Sequence, residues 1–381
     1  MSKDARDAKV YRKLQQKLDK LPIAFPATAS GVEIRLLKHL FTPEQAQIAL
    51  SMSFIPEPAA VIRKRLKKHP PVLAELEGSL EQMAARGSIA RSITKEGVKI
   101  FSITMLAIGM FEFQVEQLTK AFYEDFKQYI DEAFRDALLH PKFTQLRPVP
   151  TTGSITPDLN IMPYDDIRCV LTEHRGPFRV VDCICKKGQD LLDQPCQVTK
   201  DREICLIFGS AARNYQALGW GRELTRQEVF AILDKAEQDG LVVQPSNSQY
   251  PFCACLCCGC CCEVLANAKR MENPARLFYA NYVAVNDAAL CSGCGLCIDR
   301  CQMEAIAMEE DKSRVDPGRC IGCGLCTTVC ATKAIRMQKK DPITVPKKDT
   351  TQFYLTLMQA RAGNARMFLM MIRRVLGMTV P

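Results

Sequence analysis

Histidine is scarce in this 381-residue chain and is nowhere grouped. His39, His69, His140 and His174 are scattered without metal-ligand spacing, so each reads as a surface or turn residue rather than part of a site. Phosphate-binding loops are missing too. The segment GSAARNYQALGWG at 209–221 has neither the dinucleotide fingerprint nor a P-loop lysine. No uninterrupted apolar run approaches the roughly 18 residues that span a bilayer. The first residues, MSKDARDAKVYRKLQQ, lack the apolar stretch of a signal peptide. These absences lead to the expectation of a cytoplasmic protein with no transmembrane segment and no recognisable catalytic residue. A chain of this length suggests two to three domains.

What the chain has in excess is cysteine: 20 residues, which in a reducing compartment are thiols or metal ligands rather than disulfides. Eight fall in a sentence written twice, C-x2-C-x2-C-x3-C, at Cys291, Cys294, Cys297 and Cys301 and again at Cys320, Cys323, Cys326 and Cys330. The repeat extends beyond the ligands. CSGCGLC at 291–297 matches CIGCGLC at 320–326, and Ala305-Ile306 matches Ala334-Ile335, the mark of an internal duplication. Gly293, Gly295, Gly322 and Gly324 stand where a loop must come close to what it wraps. Structural zinc favours two C-x2-C pairs instead.

Over about 283–340 the chain resembles the bacterial two-cluster ferredoxins, each run wrapping three corners of a 4Fe-4S cubane. The resemblance implies that the fourth cysteine of each run serves the other cluster. One cluster would then take Cys291, Cys294, Cys297 and Cys330, and the second Cys320, Cys323, Cys326 and Cys301. That family usually places proline after the fourth cysteine, where this chain has Gln302 and Ala331.

Eleven further cysteines lie within 183–262. Cys183, Cys185, Cys196 and Cys205 come first, and CACLCCGCCC at 253–262 follows a helical segment, Thr225 to Gln238, and a strand, Leu241 to Gln244. The helix and strand can turn the chain back, bringing Cys183 and Cys185 beside the second run. Adjacent cysteines project differently, so only a subset, Cys257 with Cys260 or Cys258 with Cys261, can face one metal. Candidate ligands of an additional centre are Cys183, Cys185, Cys196, Cys205, Cys257, Cys258, Cys260 and Cys261, holding a further iron-sulfur cluster or zinc. Thiol redox chemistry and inert burial stay open beside these. Cys257-Cys258-Gly259 resembles the cysteine-cysteine-glycine element of heterodisulfide-reductase-like subunits, without the rest of their spacing. Cys169 stands alone and reads as a core residue.

Upstream, residues 31–112 follow a helical pattern, with Thr42-Pro43-Glu44 as a helix start, and then alternate as strands at Ser88–Ile93 and Val98–Ile103. Three helices followed by a hairpin resemble a winged helix. Its last helix offers Glu75, Glu77, Glu81 and Gln82, with Arg86 only at its end, and the three acidic side chains would repel phosphates and argue against specific DNA binding despite RKRLKK at 63–68. A long amphipathic helix is expected from about Glu112 to Leu139, through Phe113, Val115, Leu118, Phe122, Phe126, Ile130 and Phe134. The tail from Thr350 to Pro381 reads as one or two basic helices, for which packing on protein is favoured over peripheral membrane contact. Charge gathers at the ends: residues 1–70 hold 14 Lys and Arg against 6 Asp and Glu, and residues 332–381 hold 10 against 2.

The expected fold is α+β and multidomain: an N-terminal charged helix (1–30), a winged-helix-like domain (31–112), a long helix and linker (113–150), a cysteine-rich α/β region (151–282), a dicluster ferredoxin-like domain (283–340) and a basic helical tail (341–381). The expected function is one-electron transfer through two 4Fe-4S clusters, as a non-catalytic carrier or oxidoreductase subunit working with a redox partner protein or enzyme complex. The alternatives are a redox-sensing winged-helix regulator and an oxidoreductase built on an extra cysteine-ligated metal centre.

Overall fold

The computed structural model describes residues 3–66, 70–94, 96–139 and 144–375. The chain divides into two compact units, Met1–Leu138 with Tyr354–Pro381, and Leu139–Phe353.

The first unit is mainly helical. Helices Lys3–Leu18, Val32–Leu40, Pro43–Ala49, Ala59–Arg63 and Leu73–Ala85 precede an antiparallel hairpin, Ala90–Ile93 with Lys99–Ser102, in the register Arg91↔Phe101. Thr42 begins one helix through a capping box with Gln45, which satisfies backbone N–H groups that the first turn leaves over. Leu36, Leu37, Leu76, Leu80 and Phe101 are fully buried. The expected helix from Glu112 does not run through. Glu112–Gln114 is a short 3-10 turn, and the helix proper starts at Lys120, after Thr119 has turned extended (ψ 153°) and capped it by accepting from the Phe122 N–H. The aromatic periodicity that suggested one helix comes instead from two segments folding onto the same core, with the rings of Phe111 and Phe126 stacked 3.7 Å apart. In the tail, Thr350–Val375 is interrupted at Gly363 (φ 75°, ψ 159°). Arg361 donates to the backbone carbonyls of Leu21 and Asp19.

The second unit is built on a five-stranded sheet, in spatial order Arg222–Leu224, Phe178–Asp182, Glu203–Phe208, Cys253–Cys257 and Val242–Pro245, every neighbouring pair antiparallel. Alternation along these strands sends Val180, Leu206, Ala254, Leu256 and Val243 into a core closed by Val229 and Leu233 of the helix Arg226–Asp239. Thr225 and Glu228 form a capping box at the start of that helix, and left-handed Gly240 ends it.

The duplicated segment packs on this body. Its outer strands, Tyr282–Asn286 and Ile335–Lys339, pair antiparallel, and Ile306–Glu309 pairs with Lys312–Val315, so each half contributes one strand to each ladder. Direct bonds tie it down: Thr151 N–H donates to the Cys323 carbonyl (2.9 Å), Arg300 to that of Gln238 (2.8 Å), and Lys269 to the Glu304 carboxylate (2.6 Å). Arg147 and Asp165, each 1% exposed, form a buried ion pair beneath it, and Asn281 donates to Asp165 (2.8 Å).

Candidate metal centres

In the duplicated segment the loop backbone is shaped for close wrapping. Gly293 and Gly322 both have φ near 70° (74° and 70°). A methyl at Gly293 would lie 2.6 Å from the Asp311 carbonyl, and one at Gly322 would collide with that of Tyr282. Both halves point backbone donors at matching sulfurs. The first cysteine of each run accepts from a strand, Cys291 from Ser313 N–H (3.4 Å) and Cys320 from Ala284 N–H (3.4 Å). The fourth accepts from the residues that follow it, Cys301 from Ala305 N–H (3.2 Å) and Cys330 from Ile335 N–H (3.5 Å). Such donors favour the thiolate and tune whatever it binds.

Cys301, Cys320, Cys323 and Cys326 line one cavity, walled by Ile306 and Leu325. Thus the last cysteine of the first run lies with the three of the second. Cys291, Cys294 and Cys297 share the other loop, beside the short helix Leu296–Arg300 that packs on the turn Thr327–Val329 leading to Cys330. The two sets differ in exposure. The first set has one exposed member, Cys294, beside buried Cys297, whereas the second has two buried members, Cys320 and Cys326, and none exposed. Hydrogen bonds from Ser313, with the Lys312 ammonium nearby, hold the Cys291 thiol down to about 7, while burial pushes Cys323 up to about 12 and Cys326 well above its ordinary value. All-thiol donor sets, an apolar wall and loops that turn through left-handed glycines fit 4Fe-4S cubanes.

Gln302 has a role here that proline could not fill. Its side-chain oxygen accepts from the Gly259 N–H (2.8 Å), and a methyl on Gly259 would strike its backbone carbonyl. The residue after Cys301 therefore clasps the turn inside the other cysteine run.

That second run splits by strand geometry. Cys253, Cys255 and Cys257 alternate along one strand and share a face, with Cys255 opposite Cys205 on the neighbouring strand. A ladder of thiol contacts runs Cys205–Cys255–Cys257–Cys262, and the free thiols of Cys183 and Cys185 are hydrogen-bonded to each other close by. Cys196, Cys258, Cys260 and Cys261 form a separate group, their sulfurs all within 4.8 Å of one another. Of the eight candidates from the sequence, Cys183, Cys185, Cys205 and Cys257 lie outside this group, and of the two pairings considered it contains Cys258 with Cys261. The strand ends at Cys257, so Cys258 leaves the sheet in a turn and faces elsewhere. Cys253, Cys255 and Cys262 were not among the candidates. The C-x-C-x-C alternation was the available signal for the first two. Lys186, 1% exposed, reaches the four-thiol group and donates to Cys258 (2.8 Å). Nothing in the sequence pointed to it.

Residues 290–334 match the family of 4Fe-4S dicluster domains. No curated protein and no solved structure matches the chain. The segment is thus a dicluster ferredoxin-type domain carried within a larger mixed helix and strand protein. Among the described residues no helix is long and apolar enough to cross a membrane.

Proposed function

We propose that this protein is an iron-sulfur electron carrier, working as a subunit or partner of a redox enzyme in a reducing, cytoplasmic setting. The observation that carries this reading is the cavity in which Cys301 joins Cys320, Cys323 and Cys326. It supports crossed ligation, with Cys330 completing the set of Cys291, Cys294 and Cys297. When bound, such clusters take up and release single electrons. The chain's own residues exclude water at the inner set through Ile306 and Leu325 and present backbone donors to the sulfurs. They also leave Cys294 at the surface, where a partner can approach. Substituting Cys301→Ser tests the reading. With each cluster's reduced-state spectrum assigned, the signal tied to Cys320, Cys323 and Cys326 should weaken while the other persists. Loss confined to the Cys291 set would refute the crossing, and a wild-type chain without iron and labile sulfide would refute the carrier reading.

The first unit serves in this proposal as a winged-helix-like docking or scaffolding module for a partner protein. The regulator alternative is disfavoured by its charges. Glu81 of the presumed reading helix is held by Arg91 (3.1 Å) and Lys99 (3.0 Å) of the hairpin, while Glu75 and Glu77 are exposed. Arg65 is spent on Glu57 (2.6 Å), and Arg63 on the Pro71 carbonyl (2.8 Å). Gel-shift experiments on genomic fragments should give weak, salt-sensitive binding only. A sequence-selected complex stable at physiological salt would restore the regulator.

A further inference from the structure

The geometry points to a single tetrahedral metal ion, of the zinc or ferrous class, held by Cys196, Cys258, Cys260 and Cys261, as a centre separate from the dicluster domain. Three independent features converge on it. The first is distance. Sulfur separations are 3.7 Å for Cys196–Cys258, 3.8 Å for Cys196–Cys260, 3.4 Å for Cys258–Cys260 and 3.5 Å for Cys260–Cys261. A metal with bonds of about 2.3 Å to four thiolates at tetrahedral angles requires sulfur-sulfur edges of about 3.8 Å. Disulfides need about 2.05 Å, far less than any pair here. Four thiolates of a cubane bind four different irons and must stand farther apart than the edges of a single-ion tetrahedron.

The second feature is charge. Lys186 is 1% exposed and donates from Nζ to Cys258 Sγ at 2.8 Å. An ammonium withdrawn from water needs an anionic partner, and here that partner is a sulfur. Four thiolates around one divalent ion carry a net charge of about −2, which a buried ammonium offsets in part.

The third is the way the fold assembles the group. Cys258, Cys260 and Cys261 leave the end of a strand in one turn, and Cys196 arrives from the loop after the helix Ile184–Leu191, 62 residues earlier than Cys258. Cys258 and Cys261 sit in the hydrophobic core of the unit, while Cys260 is exposed and leaves an entry path. Such a site joins a loop to the sheet, the role of closed structural metal sites. The clasp of Gln302 on Gly259 places this turn against the residue that follows Cys301.

The test uses the full-length protein purified anaerobically, with zinc, iron and acid-labile sulfide counted per chain. Cubanes contain iron and sulfide in equal number, so the proposed ion appears as one metal in excess of sulfide. Cys260→Ser and Cys196→Ser should each bring that excess from one to zero while leaving sulfide-matched iron unchanged, which also reports that the unit remains folded. Cys169→Ser, outside the group, should keep it. Elemental analysis separates zinc from iron, and a chain loaded with cobalt(II) should show the visible bands of a tetrathiolate site, lost in Cys260→Ser. An excess other than one in the wild type overturns the proposal, as does an excess surviving both serine variants or lost together with sulfide. Absence of sulfide-matched iron would instead strike the carrier reading and leave this count legible.

Discussion

Gly293→Ala and Gly295→Ala make a matched pair within one loop. Both glycines are left-handed, at φ 74° and 77°, so alanine at either costs about 1–2 kcal/mol from backbone conformation alone. They differ in what a methyl meets. At Gly295 nothing lies within 4 Å, whereas at Gly293 the new carbon would stand 2.6 Å from the Asp311 carbonyl, a backbone atom that cannot rotate away. Relief requires the turn at Glu310–Asp311 to move. That turn leads into Lys312, which donates to the Cys291 carbonyl (2.6 Å), and Ser313, whose N–H reaches Cys291 Sγ (3.4 Å). Overpacking of this kind adds about 1–3 kcal/mol. If it is expressed as easier opening of the loop, Gly293→Ala should lose iron to a chelator about 5–150 times faster than Gly295→Ala. Chelator-induced bleaching of the two variants, followed side by side under anaerobic conditions, measures the ratio. Equal rates would refute the argument that close approach, rather than backbone conformation alone, demands glycine at 293.

Two further variants probe the supports. Gln302→Leu removes the acceptor of the Gly259 N–H, and an unpaired backbone donor at that partly buried contact should cost about 1–3 kcal/mol, seen as a lower urea midpoint for the second unit. An unchanged midpoint would show the clasp to be incidental. Arg65→Met leaves the largely buried Glu57 carboxylate without its bidentate partner (2.6 and 2.7 Å) and should destabilise the first unit by about 3–5 kcal/mol. Replacing both partners with apolar residues should recover much of that loss in the same denaturation assay, and no recovery would assign the cost to packing instead.

The dicluster domain was legible because its recognition is local: four cysteines within eleven residues, repeated, with glycines between them, state their chemistry before any fold is known. Helix starts with a complete local signal were equally legible, as at Thr42 and Thr225, where cap and reciprocal side chain lie three residues apart. The helix expected from Glu112 misled because hydrophobic spacing records which side chains reach a core, not whether one helix or two segments deliver them.

What the sequence by itself determined is therefore local: two cysteine-wrapped loops with glycine at their turns, and a dense second run of thiols whose partners it left open. What only the tertiary structure decided is which thiols meet. Cys301 joins the second loop because the paired outer strands fold the two halves together. Cys196 joins Cys258, Cys260 and Cys261, and Lys186 joins them from a helix, because the antiparallel sheet brings segments more than sixty residues apart to one turn. Gln302 looks in sequence like a mere departure from proline and becomes a clasp only when Gly259 is folded against it. Local spacing can announce a ligand set when the chain itself closes the loop. When closure depends on sheet pairing, the set exists only in the fold.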